Sequence, residues 1–164
     1  MKTITKSQLI AITNDAKQAA RKRSHYNLHA DFADAVQRMC VAIEPDSYVR
    51  PHVHTEKNKW ELIILLSGAI EIVIFDHTGA ISEKIMLSAD SGSCSVEIPS
   101  NTVHSLHSLE SGTVFFEIKE GPYSPFNSND FADWSPNENE VEQVRRYQAW
   151  CRCASIGERF PVTG

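Results

Sequence analysis

Two histidines separated by a single residue, His52 and His54, stand just ahead of an apolar run that opens on Glu61. In an extended segment alternate side chains share a face, so both imidazoles project to one side and Val53 to the other. His104 follows Ile98-Pro99-Ser100-Asn101, a turn-like stretch suited to starting a strand that returns to the first. Three imidazoles and one carboxylate, His52, His54, His104 and Glu61, make a shell for a divalent transition metal such as zinc, iron, manganese or nickel. Such a shell leaves positive charge on the ion and open positions for water or a substrate oxygen. The ion can then act as a Lewis acid, generate hydroxide or, as iron, bind dioxygen.

The elements that must position these groups are short and β-rich. Runs at Val36–Ile43, Glu61–Ser67, Ala69–Phe75, Ile81–Leu87, Cys94–Ile98, Thr102–Leu109 and Thr113–Lys119 are punctuated by turn chemistry such as Ser67-Gly68, Asp76-His77-Thr78-Gly79 and Asp90-Ser91-Gly92. Strands at this spacing without intervening helices predict a sandwich or barrel. Ahead of them, Thr5 and Gln8 form a capping box, and Leu9, Ile12, Ala16 and Ala19 recur at helical spacing up to Arg21-Lys22-Arg23. That basic triplet is expected to complement the helix C-terminal dipole. Past Lys119, the proline-rich Gly121–Pro125 stretch suits a loop wrapping the barrel. Ser135-Pro136-Asn137-Glu138 reads as a helix start, with Val141, Val144 and Trp150 packing and Glu142 paired to Arg146. The expected organisation is one domain over 1–164: N-terminal helix 1–24, barrel 36–119, wrapping loop 120–134, C-terminal helix 135–153.

These residues resemble the cupin superfamily, a small jelly-roll barrel (double-stranded β-helix) whose first motif is Gly-x5-His-x-His-x3,4-Glu-x6-Gly. His52, His54, Glu61 and Gly68 fill it, with Asp46 in place of the first glycine and six residues between His54 and Glu61. The second motif, Gly-x5-Pro-x-Gly-x2-His-x3-Asn, is similar to Gly92, Pro99, Asn101 and His104, with one added residue before Pro99 and Ser108 in place of the final asparagine. Asn101 stands where the motif has a turn glycine, and asparagine tolerates the left-handed region. A closer resemblance is to the WbuC family of small cupin metalloproteins. It is carried by HYNLH at 25–29, VQRM at 36–39, SYVRPHVH at 47–54, KWEL at 59–62, IFDHTG at 74–79, VEIPSNTVHSL at 96–106 and EIKEGPYSP at 117–125. It implies a mainly β fold, a metal in the barrel, a homodimer, and a sugar or nucleotide-sugar ligand linked to lipopolysaccharide O-antigen biosynthesis. A cationic metal with neighbours such as Arg38 and Lys119 makes a simple sugar acid at least as suitable.

Composition bounds the remaining readings. A length of 164 residues with 41% hydrophobic and 23% charged side chains suits one globular domain. A formal charge of −5 argues against a nucleic-acid or anionic-membrane surface. The start of the chain lacks an apolar core of signal-peptide length, and Cys40, Cys94, Cys151 and Cys153 lack zinc-finger or redox spacing, so free thiols in the cytoplasm are expected. A catalytic acid or base would be a second polar group on the ion's open side; Glu97, Glu117, Lys119 and Tyr48 are candidates. His29 and Arg38 are candidates for substrate contact, His29 equally as a structural hydrogen-bonding group. His107, three residues after His104, should point to the opposite face. Two function classes follow: a metal-dependent isomerase, epimerase or iron-dependent dioxygenase acting on a small oxygen-rich molecule, or a non-catalytic metal and carbohydrate-binding module.

Overall fold

The computed structural model describes residues 1–56, 59–90 and 92–161. Lys57 and Asn58 of the loop before Glu61, and Ser91 of the expected Asp90–Gly92 turn, lie outside them. Helix α1 (Lys6–Gln18) is followed by strands β1 (Arg23–Asn27), β2 (Val36–Ile43), β3 (Glu61–Ser67), β4 (Ala69–Phe75), β5 (Ile81–Ser88), β6 (Ser95–Ile98), β7 (Val103–Ser108) and β8 (Thr113–Glu120), then helix α2 (Val141–Cys153). The strands form two antiparallel sheets, one ordered β1-β2-β8-β3-β6 and the other β5-β4-β7.

The period-two alternation of each strand decides which residues meet between the sheets. From the larger sheet Met39, Val41, Ile43, Ile63 and Phe115 enter the central core, where Ile70, Ile72, Leu87 and Leu106 of the smaller sheet meet them. Strand β4 is apolar at nearly every position because both its faces are covered. Ile70 and Ile72 face the core, while Val73 and Phe75 pack beneath Tyr147 and Cys151 of α2. Helix α1 covers the outer face of the larger sheet, with Ile12 and Ala16 against Cys40, Ala42 and Val114. Its Thr5–Gln8 capping box is formed as its sequence predicts.

Several boundaries differ from the sequence expectation. The first helix does not fill residues 1–24: it stops at Gln18, Lys22 turns the chain at φ 56°, and β1 begins at Arg23. Alternation explains this unexpected strand. Arg23, His25 and Asn27 share one face, while Tyr26 on the other packs among the α1 contacts and accepts a hydrogen bond from Gln8 Nε2. Of the basic triplet, Lys22 reaches back to the Lys17 carbonyl, but Arg21 and Arg23 pair with Glu138 instead.

The second helix begins at Val141, not at residue 135. The Ser135 hydroxyl is taken by a local turn, donating to the Ala132 carbonyl and accepting from Arg50 Nε, so it caps no helix. Val141 is exposed, whereas Val144 and Trp150 do pack under α2, and Glu142 pairs with Arg145 in place of Arg146. All four cysteines are free. Among the described residues, no helix is long and apolar enough to cross a membrane.

Two turn positions carry the φ values their residue types suit, Asn101 at 62° and Gly68 at 78°. Gly68 is the more constrained, since a Cβ there would lie 2.3 Å from the buried Thr113 Oγ1. Gly68→Ala should therefore lower unfolding stability by about 2 kcal/mol. Urea denaturation checks this; an unshifted midpoint would show that the β3–β4 turn tolerates a side chain.

Candidate metal centre

His52 sits on a short extended segment clamped on both sides. Its backbone pairs reciprocally with His104 at 2.9 and 3.0 Å, and the wrapping loop closes the other side through Val53 N–H to Asp130 O and Ala132 N–H to Pro51 O. Asn101 N–H donates to His54 O, so both histidines are held by main-chain bonds before any side chain acts. Glu61 opens β3 in register with Lys119 of β8 and Ile98 of β6. Pairing to two neighbours fixes its inward position, whatever the length of the loop after His54. The structure thereby brings His52, His54, Glu61 and His104 together, with one potential ligand atom from each all within 4.8 Å of one another.

Hydrogen bonding orients these rings. The Nδ1 atoms of His52 and His104 lie 2.9 Å from the carbonyl oxygens of Arg50 and Thr102, so each donates its Nδ1–H to the backbone. In a neutral ring that leaves the Nε2 lone pair facing the cluster. There His104 Nε2 lies 3.0 Å from one Glu61 carboxylate oxygen and His54 Nε2 lies 3.0 Å from the other. His54 Nε2 is buried without a hydrogen bond of good geometry. His104 Nε2 and its Glu61 oxygen are facing acceptors, and at this distance they require a cation between them, either a shared proton or a metal ion. The donor set fits a divalent ion well: imidazole nitrogens anchored by backbone carbonyls, and one carboxylate.

Burial would lower His104, but its contact with Glu61 raises it, so in the absence of a metal ion a shared proton is favoured there. Burial, together with the nearby His104, pushes His52 down to about 3, which keeps its ring neutral. Burial alone would raise Glu61, but the contacts with His104 and His54 and the Lys119 ammonium hold it well below the usual carboxylate range. Lys119 is raised despite its own burial because it bridges two carboxylates, Glu117 at 2.7 Å and Glu61 at 3.2 Å.

The cluster opens onto a cavity of about 580 Å³ bounded by inward residues of β2, β3, β7 and β8 and extended by β1. This is a volume typical of small-ligand sites. The charged side chains lining it are Arg21, Arg23 and Lys119 against Glu61 and Glu117. Phe126 of the wrapping loop lies over the cluster, with ring centroids 4.9 Å from His52 and 5.2 Å from His54.

The remaining candidates divide. Glu117 and Lys119 line this cavity, as does His29. Tyr48 does not: its hydroxyl donates to the Pro136 carbonyl and its ring packs on Tyr147 under α2. Glu97 is exposed, because its neighbour Ile98 takes the inward position of β6. Arg38 pairs with Asp34 on the outside of β2, one residue out of phase with the inward Gln37 and Met39. His107 faces away from the cluster toward Glu71, 3.1 Å distant. Sequence reading missed the aromatic mouth formed by Phe32, Tyr123 and Phe126, and the β1 wall; the alternation Arg23-x-His25-x-Asn27 was the available signal for the latter.

Residues 4–87 match the family described as "Domain of unknown function (DUF6016)", and the chain belongs to that family. No curated protein sequence matches it. Among solved structures, a cupin 2 domain-containing protein from Halorhodospira halophila aligns with a TM-score of 0.50 at 15% identity, over 83% of this chain and 85% of that one. KdgF from a Halomonas species aligns at 0.48 and 20% identity, over 62% of this chain and 82% of that one. The fold is a cupin barrel, mainly β, flanked by an N-terminal and a C-terminal helix.

Removing the Lys119 charge would leave the buried Glu61 and the half-buried Glu117 carboxylates without the cation between them. Lys119→Met should therefore destabilise the chelator-treated protein by about 3 kcal/mol. Chemical denaturation measures this, and a loss below about 1 kcal/mol would place the pair among weakly coupled surface charges.

Proposed function

We propose that this DUF6016 member binds one divalent transition-metal ion through His52, His54, Glu61 and His104 and uses it to hold a small oxygen-rich anion in the barrel. The observation that carries this reading is the convergence of four potential ligand atoms, with the His104 and His54 Nε2 atoms each 3.0 Å from an oxygen of Glu61. A bound ion would supply Lewis-acid polarisation of a ligand oxygen. An anion is favoured because a bound divalent ion would add positive charge to the cavity beside the Lys119 ammonium.

Catalysis is favoured over passive binding by the Glu117–Lys119 pair, 2.7 Å apart on the cavity wall beside the cluster. An ammonium has three donors, of which Lys119 directs two to Glu61 and Glu117, leaving one for a ligand oxygen. Glu117 is then the carboxylate placed to accept a proton from a ligand held there, which suits isomerisation or epimerisation next to a carbonyl. The sequence likeness to the WbuC family, carried by stretches such as 47–54 and 96–106, supports a sugar or sugar acid of O-antigen synthesis as the biological setting. Homodimer formation is proposed from the unpaired edges of β1 and β6, and cytoplasmic residence from four free thiols.

Purified protein should carry close to one divalent ion per chain, and His52→Ala or His104→Ala should abolish it. Glu61→Gln should lower metal content comparably, because the carboxylate lies inside the cluster. Elemental analysis checks all three; equal metal in the wild type and both histidine variants would overturn the assignment.

A further inference from the structure

His29 is an orphan of the cavity. It follows β1 and is 6% exposed, and its Nε2 is buried without a hydrogen-bond partner among the described residues. Its other nitrogen settles the tautomer. The backbone N–H of Arg38 donates to His29 Nδ1 at 3.0 Å. A peptide N–H always carries its hydrogen, so Nδ1 accepts. The Arg38 carbonyl, equally near Nδ1, already receives the Leu28 N–H at 2.8 Å. The neutral ring therefore carries its proton on Nε2, giving a buried donor with nothing to donate to, and such a group is costly to leave unpaired.

Its surroundings indicate what is missing. The residue lines the same cavity as the metal cluster. Phe32 lies against the imidazole with ring centroids 5.8 Å apart, and Tyr123 lies 5.1 Å from Phe32. Both aromatics are exposed, Phe32 at 58% and Tyr123 at 45%, and because they touch each other they form a contiguous apolar patch. Rotating Phe32 off the imidazole would sacrifice little buried area. The two loops that carry them are tied by Tyr123 N–H to Phe32 O at 2.7 Å, so donor and aromatic faces form one wall.

We infer that His29 Nε2–H, backed by Phe32 and Tyr123, is a ligand-recognition site for the end of the ligand remote from the metal. Resting on the metal-binding reading above, it narrows the ligand to a hydroxycarboxylate. The carboxylate binds at the ion and Lys119, a remote hydroxyl or carbonyl oxygen accepts from His29, and the carbon skeleton lies along the aromatic wall. Phe126, over the metal ligands, continues the same surface.

The test uses metal-loaded full-length protein and two six-carbon probes, gluconate and hexanoate, which share a carboxylate but differ in hydroxyls. Calorimetric titration should show gluconate binding the wild type about tenfold more tightly than hexanoate. In His29→Asn the side-chain carbonyl can still accept from Arg38 N–H, but the remote donor is lost. Gluconate should then bind about tenfold more weakly, with hexanoate binding and metal content unchanged. His29→Gln, which restores a donor near the Nε2 position, should recover part of the loss. A long-range proton–nitrogen spectrum should show His29 protonated on Nε2 and shifted by gluconate. Wild type that retains its metal yet binds the two probes equally, or gluconate affinity unchanged in His29→Asn, would overturn this inference alone. Wild type without metal would instead overturn the reading on which it rests.

Discussion

The centre of this protein is a collision of acceptors. His52 and His104 are committed through their Nδ1 hydrogens to backbone carbonyls, and the remaining lone pair of His104 faces Glu61, which has only lone pairs to offer. Such a cluster is stable only around a cation, and the architecture is arranged to keep the groups from turning away. The His52–His104 backbone pairing fixes one side, the register of β3 between β6 and β8 fixes the carboxylate, and the wrapping loop closes over the top with Phe126. The Lys119 bridge to Glu61 and Glu117 supplies part of the compensating charge from the strand opposite.

Most of the barrel was legible in the sequence because turn chemistry and β-branched runs mark the strands directly. The limits of β2, β3 and β4 coincide with those of the apolar runs. The metal candidates were legible as well, since His-x-His places both rings on one face of any extended segment. What escaped depended on pairing between distant segments. Strand β1 carries Arg23, Ser24, His25 and Asn27, polar residues whose strand character comes from the free edge of β2, not from their own propensity. The helix start expected at Ser135 failed because Arg50, some 85 residues away, competes for the same hydroxyl. Side-chain direction was the hardest to foresee: Arg38 and Glu97 are each one residue out of phase with the inward set, and a single step along a strand exchanges inside for outside.

The family match identifies kinship without supplying chemistry, so function has to come from the site. A cupin barrel hosts many activities, and the fold does not choose among them. In this chain the Glu117–Lys119 pair stands beside the cluster, and the β1 wall extends the cavity. Together they make room for a ligand longer than one that only coordinates the ion.

The distribution of charge has a further kinetic meaning. The chain as a whole carries a formal charge of −5, yet a divalent ion held by His52, His54, Glu61 and His104 would make the cavity locally positive. An approaching anion is thus repelled at long range and attracted only once inside, where low-dielectric walls concentrate the field. Salt reverses the usual expectation for such an encounter. At physiological ionic strength the screening length is about 8 Å, short enough to mute the outer repulsion while the enclosed attraction persists. Association with an anionic ligand would then quicken, not slow, as ionic strength rises from low values, the opposite of an electrostatically steered enzyme.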